Sequence, residues 1–121
     1  MALPRLSLGS EISYRSAITD SCKLKDFKDV WSRVSLIDIN SMVSEYNSLE
    51  GTGNIPALTS LQGRVKAALT SIDALQKTYK DPLVIAPATD MYSALKRVEC
   101  AVNSQISTYS STRGGLFKVV N

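Results

Sequence analysis

The sequence predicts an all-α fold: a small helical bundle of three to four helices built on an antiparallel helical hairpin, with short extended terminal segments. Two long runs of apolar side chains at helical spacing carry this prediction, together with the proline-bearing stretch that separates them. In residues 57–80, Leu58, Leu61, Val65, Ala68, Ile72, Leu75 and Tyr79 recur at alternating spacings of three and four, which places them on one face of a helix. In residues 90–110, Tyr92, Leu95, Val98, Val102, Ile106 and Tyr109 do the same, with Thr89 or Asp90 as the expected N-cap.

Taken in chain order, residues 1–22 are ambiguous. Leu6-Ser7-Leu8 alternates as a strand would, while the segment after Ser10 fits a short helix. Residues 23–49 form one kinked helix or two. Leu24, Phe27, Val30, Trp31 and Val34 mark the first run, and Leu36, Ile39, Met42, Val43, Tyr46 and Leu49 the second. Ser35, followed three residues later by Asp38, suggests a capping box and hence a break.

Gly51-Thr52-Gly53-Asn54 cannot readily continue a helix, and Pro56 suits the first turn of the next one. The helix at 57–80 should run to roughly 35 Å. Gly63, Ala67 and Ala68 on it are small enough to admit a second helix closely. The prolines of the 80–88 stretch are expected to exclude helix and leave a short extended link. Gly114-Gly115 is expected to end the second long helix. The apolar tail 115–121 is β-prone and expected to find a partner, on its own bundle or on a neighbouring chain.

The 121 residues suit a single domain, 1–121, and the 44% hydrophobic and 21% charged fractions are those of a globular chain. No apolar run is long enough to span a bilayer, so no membrane partner is expected. The N-terminus lacks the pattern of a signal peptide, which leads to the expectation of an intracellular, cytoplasmic or virion location. Cys22 and Cys100 form no C-x-x-C pair and are expected to be buried, reduced thiols; sequence does not settle whether they are bridged.

Chemistry is hard to find. Histidine is absent, so neither a Ser-His-Asp nor a Cys-His arrangement can be built within the chain. Ser93-Ala94-Leu95-Lys96 matches a serine–lysine pattern, but its companion motifs are missing and an exposed helix face explains it better. Gly51-Thr52-Gly53 has neither the spacing nor the lysine of a phosphate loop. Asp26 and Asp29 read as an ion-pair face beside Lys25 and Lys28. No catalytic residue, metal ligand, cofactor or small-molecule substrate is expected.

The net charge of +3 is uneven. Residues 1–63 carry six basic and seven acidic side chains, and residues 64–121 eight basic and four acidic. Arg64, Lys66, Lys77, Lys80, Lys96, Arg97 and Arg113 are the candidate phosphate or nucleic-acid contacts. Serine and threonine supply about a fifth of the chain, giving polar faces with little charge repulsion and little side-chain entropy to lose on burial. The resulting expectation is a non-enzymatic structural or assembly protein, a subunit of a virion, filament or multisubunit complex, with Leu116, Phe117, Val119 and Val120 as candidate subunit contacts. The alternatives are a nucleic-acid-binding module and a small adaptor binding a partner helix along the 57–80 seam.

Overall fold

The computed structural model describes residues 2–120, with side chains for residues 2–110. Helices occupy most of this length and no strand occurs among the described residues. The order is α1 (Glu11–Arg15), α2 (Ser21–Val34), α3 (Ile39–Leu49), α4 (Ile55–Thr78) and α5 (Pro82–Val120). The fold is therefore an all-α bundle of four longer helices and one helix of five residues. Residues 2–9 precede α1 without regular secondary structure.

Local chemistry sets each start. Ser10 caps α1 by accepting the Ser13 N–H, and Asp20 caps α2 by accepting those of Cys22 and Lys23. Asp38 caps α3 through the Ser41 N–H, and Asn54 caps α4 through that of Ala57, with Pro56 in the first turn where its missing donor costs nothing. The break after α2 thus falls where expected, but the capping residue is different. Ser35 is the last residue of the α2 turn, its N–H bonded back to Trp31, and Asp38 begins the next helix. Gly51 and Gly53 both adopt positive φ, 77° and 70°, and reverse the chain between α3 and α4.

Two expectations about α5 are corrected. It begins at Pro82, inside the stretch expected to be extended, because Asp81-Pro82 acts as a cap followed by a first helical residue: the Asp81 carboxylate accepts the Leu83 N–H at 2.9 Å. Thr89 and Asp90 consequently lie within the helix. Pro87 is buried in it only five residues from the start, so the hydrogen bond it removes lies at the weakly held end of the ladder. The helix also continues past Gly114-Gly115 to Val120 instead of giving way to an extended tail. Glycine weakens a helix interior by about 1 kcal/mol without forbidding it, and no proline follows.

Only three residues, 79–81, join α4 to α5, which fixes the two as an antiparallel hairpin. At its far end Gln62 donates to Asn103 at 2.6 Å and Tyr109 covers Gly53. Helix α2 packs on α5, and α3 packs against both α4 and α5. One cluster joins them, with Leu58, Leu61, Val65 and Ile72 of α4 facing Met91, Leu95 and Val102 of α5 at 1% exposure or less. Phe27, fully buried on α2, stacks with Trp31, which also meets Tyr14.

The thiols are reduced as expected but are not buried. Cys22 and Cys100 are exposed and unbridged, because each falls on the outer side of its helix: Phe27, Val30 and Val34 face inward on α2, and Leu95, Val98 and Val102 on α5. No helix among the described residues is long and apolar enough to cross a membrane.

Candidate functional site

The most specific polar arrangement in the molecule is a pair of asparagine clamps on α3. Asn40 accepts the Leu6 N–H at 2.7 Å and returns its own amide to the Leu6 carbonyl at 3.0 Å. Asn47 treats Leu3 in the same way, at 2.7 and 3.0 Å. Each side chain thereby satisfies both backbone groups of one residue in an extended segment that has no helix or sheet to do so.

The spacing explains why two clamps fit. Seven residues on a helix advance about 10.5 Å along one face. Three residues of extended or polyproline-like chain advance about 9–10 Å and return to the same side. Asn40 and Asn47 therefore meet Leu6 and Leu3 in register, with the arm running antiparallel to α3. Pro4 favours this form by holding Leu3 in extended geometry.

The arm, residues 3–8, lies in a groove between α3 and α5. Leu3, Leu6 and Leu8 are half-buried against the core. Val43 and Ile39 of α3 and Met91, Ala94 and Val98 of α5 form the walls. Clefts of about 200 and 380 Å³ remain beside it, so the arm does not fill its groove. Four hydrogen bonds at about 1 kcal/mol each and three half-buried leucines at about 1 kcal/mol each contribute about 7 kcal/mol. Ordering six residues costs about 6–12 kcal/mol. The arm is held close to balance.

Its pivot is better anchored. The Tyr14 hydroxyl on α1 donates to Asp90 of α5 at 2.5 Å. Burial, followed by this bond, pushes the Tyr14 pKa up to about 12. Gly9 lies so close to the Tyr14 ring that a Cβ there would stand 3.2 Å from it.

A second feature is the outward face of α4. Ser60, Gly63, Ala67, Ser71, Ala74 and Thr78 are all exposed and repeat at spacings of three and four, opposite the buried seam. Every member of the stripe is uncharged, and Arg64 on its flank is paired with Glu45 of α3. It ends at a groove of about 510 Å³ between α2 and α4, floored by Leu75 and rimmed by Ile37, Asp29 and Arg33. Leu36, 84% exposed, stands on the same rim. Of the small residues singled out on α4, only Ala68 meets the core; Gly63 and Ala67 face outward.

The basic candidates are dispersed. Arg64 pairs with Glu45, Lys77 with Asp73 at 2.9 Å and Lys96 with Glu99 at 3.1 Å. Lys66 is exposed on α4, Lys80 on the link and Arg97 on α5 beside the arm. The side chains of Arg113, Leu116, Phe117, Val119 and Val120 lie outside the described residues.

Other sequence candidates find ordinary partners. Glu99 raises the Lys96 pKa, the opposite of what a lysine base beside Ser93 needs. Asp29 pairs with Arg33 and accepts the Tyr79 hydroxyl, rather than joining the neighbouring lysines. The 57–80 seam is spent inside the chain's own core, which leaves a partner helix no surface along it. No group of side chains suited to a metal occurs among the described residues.

The clamps were missed in the sequence because a lone asparagine on a helix carries no periodic signal. The seven-residue spacing of Asn40 and Asn47 was the one trace available. No family model matches the chain, and no curated protein or solved structure is significantly similar to it.

Proposed function

We propose that this protein is a small non-enzymatic assembly subunit, docking through helix faces onto copies of itself or a larger partner, as in a virion, filament or multisubunit complex. The observation that carries the reading is the uncharged stripe of small side chains from Ser60 to Thr78 on the outside of α4. A face that stays in water gains from long charged side chains. A face that is covered gains from short ones, which lose little entropy and let a backbone approach closely. The stripe has the second character, and exposed Leu36 beside its end adds an apolar anchor.

Absolute mass by light scattering, recorded with the 260/280 nm absorbance ratio, tests this. The full chain should exceed the monomer mass in a concentration-dependent way, and Ala67→Glu, which places a charge in the stripe without touching the core, should restore the monomer. A monomer at every concentration would refute self-assembly. A raised absorbance ratio would bring in nucleic acid.

A further inference from the structure

We propose that the N-terminal arm, residues 3–8, is exchanged between copies, so that Asn40 and Asn47 of one copy hold Leu6 and Leu3 of another. This rests on the assembly reading and deepens it by naming the occupant of the α3–α5 groove.

Three features of the arm support exchange. Its clamp bonds come from side chains of α3 to its own backbone, and no backbone–backbone bond ties it to its neighbours among the described residues. A second copy's arm would make the same bonds, because the groove reads nothing that depends on which chain supplies the segment. The clefts beside the arm leave room for entry from outside.

The connection also permits it. Gly9 and Ser10 are exposed, and α1 beyond them is fixed to the body by the Tyr14–Asp90 bond and the Tyr14–Trp31 ring contact. The arm can therefore leave while α1 stays anchored, uncovering the groove for the arm of another copy. With Leu3 and Leu6 held by the second copy, residues 7–10 remain to bridge the two and reach about 13 Å fully extended, against the 8–10 Å that separates packed helices. The arm of one copy can span a helix-to-helix contact and enter the groove of the next, the usual logic of an exchanged segment.

Ser7 and Arg97 line one cleft and make the test specific. In a background where exposed Cys22 and Cys100 are replaced by serine, one preparation carries Ser7→Cys and another Arg97→Cys. The two are mixed over a concentration series reaching the submillimolar range, oxidised, and resolved by mass without reductant. Exchange predicts a mixed disulfide dimer that grows with concentration. It should fall by at least about tenfold in the Asn40→Leu, Asn47→Leu double variant, which loses four hydrogen bonds. Asn40→Asp with Asn47→Asp, which keeps the side-chain shape but removes the amide donors, should lower it too, and circular dichroism checks that both variants stay helical.

The proposal is overturned if mixed dimers stay at the level of random homodimers while the doubly substituted single chain, Ser7→Cys with Arg97→Cys, closes only on itself at every concentration. Light scattering separates the two failures. Assembly that persists and is abolished by Ala67→Glu, without arm cross-links, removes the exchange alone, whereas a monomer throughout removes both.

Discussion

Tyr79, in the short link between α4 and α5, donates its hydroxyl to the carboxylate of Asp29 on α2, fifty residues earlier in the chain. With the Lys23–Asp81 ion pair at 2.8 Å, it ties α2 to the turn of the hairpin.

This bond gives the first prediction. The Tyr79 hydroxyl holds the Asp29 carboxyl below its ordinary range, against a smaller opposing effect of desolvation and with help from Arg33. A carboxyl depressed on folding stabilises the protein above its unfolded pKa, and that contribution fades as pH falls through the folded value. Bonding to Asp29 raises the Tyr79 pKa in turn, so its contribution is present below about pH 10 and lost as pH rises through the folded value. Tyr79→Phe should bring the Asp29 titration, followed by NMR, up toward an ordinary aspartate. Urea midpoints should show the gap from the parent protein narrowing at both acid and alkaline pH. An unmoved Asp29 titration would refute the bond.

Tyr14 should titrate well above an ordinary phenol. Its folded pKa of about 12 is raised above the unfolded value, so the stabilising effect is complete below about pH 10 and disappears between there and pH 12. Absorbance at alkaline pH should show a titration phase near pH 12 that is absent from Tyr14→Phe. Should the late phase survive in that variant, Tyr14 is not its source.

Asn40→Ala and Asn47→Ala should each release part of the arm. Amide exchange at Leu6 in the first and Leu3 in the second should accelerate strongly, while thermal stability falls by no more than about 1–2 kcal/mol. Leu3 and Leu6 amides that stay protected in the double variant would mean that the clamps do not hold the arm.

The two turn glycines offer a paired comparison. Both have positive φ, so alanine at either should cost about 1 kcal/mol of backbone strain. At Gly53 the new methyl also meets the Tyr109 ring at 3.2 Å, while at Gly51 nothing stands within 4 Å. Gly53→Ala should therefore be the more destabilising in chemical denaturation. Equal effects would show that Tyr109 yields freely.

Leu61→Ala removes a fully buried side chain from the α4 seam and should cost about 2–5 kcal/mol by thermal or urea unfolding. A loss below about 1 kcal/mol would place Leu61 outside the core.

The hairpin was readable because its signal is local and repeated. Leu58 to Leu75 and Leu95 to Val102 announce their buried faces through spacing alone, and the caps at Ser10 and Asn54 lie beside the helices they start. Proline was over-read. Pro82 and Pro87 forbid a helix interior but not its opening turns, and Asp81 supplied the cap that turned a breaker into a beginning. The arm's clamps and the Tyr79–Asp29 and Tyr14–Asp90 bonds join residues from 34 to 76 positions apart. Such pairings exist only once the bundle has brought the partners together, and no periodicity foretells them. The outward stripe on α4 was half visible: Gly63 and Ala67 stood out as small enough to admit a second helix, but not Ser60, Ser71, Ala74 or Thr78 as part of the same face.

The arm also has a history within synthesis. Residues 3–8 leave the ribosome before either wall of their groove exists, and the Met91–Val98 wall follows about 90 residues later, on the order of 5–20 s at ordinary elongation rates. The α4–α5 hairpin, by contrast, closes on contacts between neighbours in the chain. Translation thus produces the three leucines well before their resting place, and chains growing side by side on one messenger would pass through that interval together.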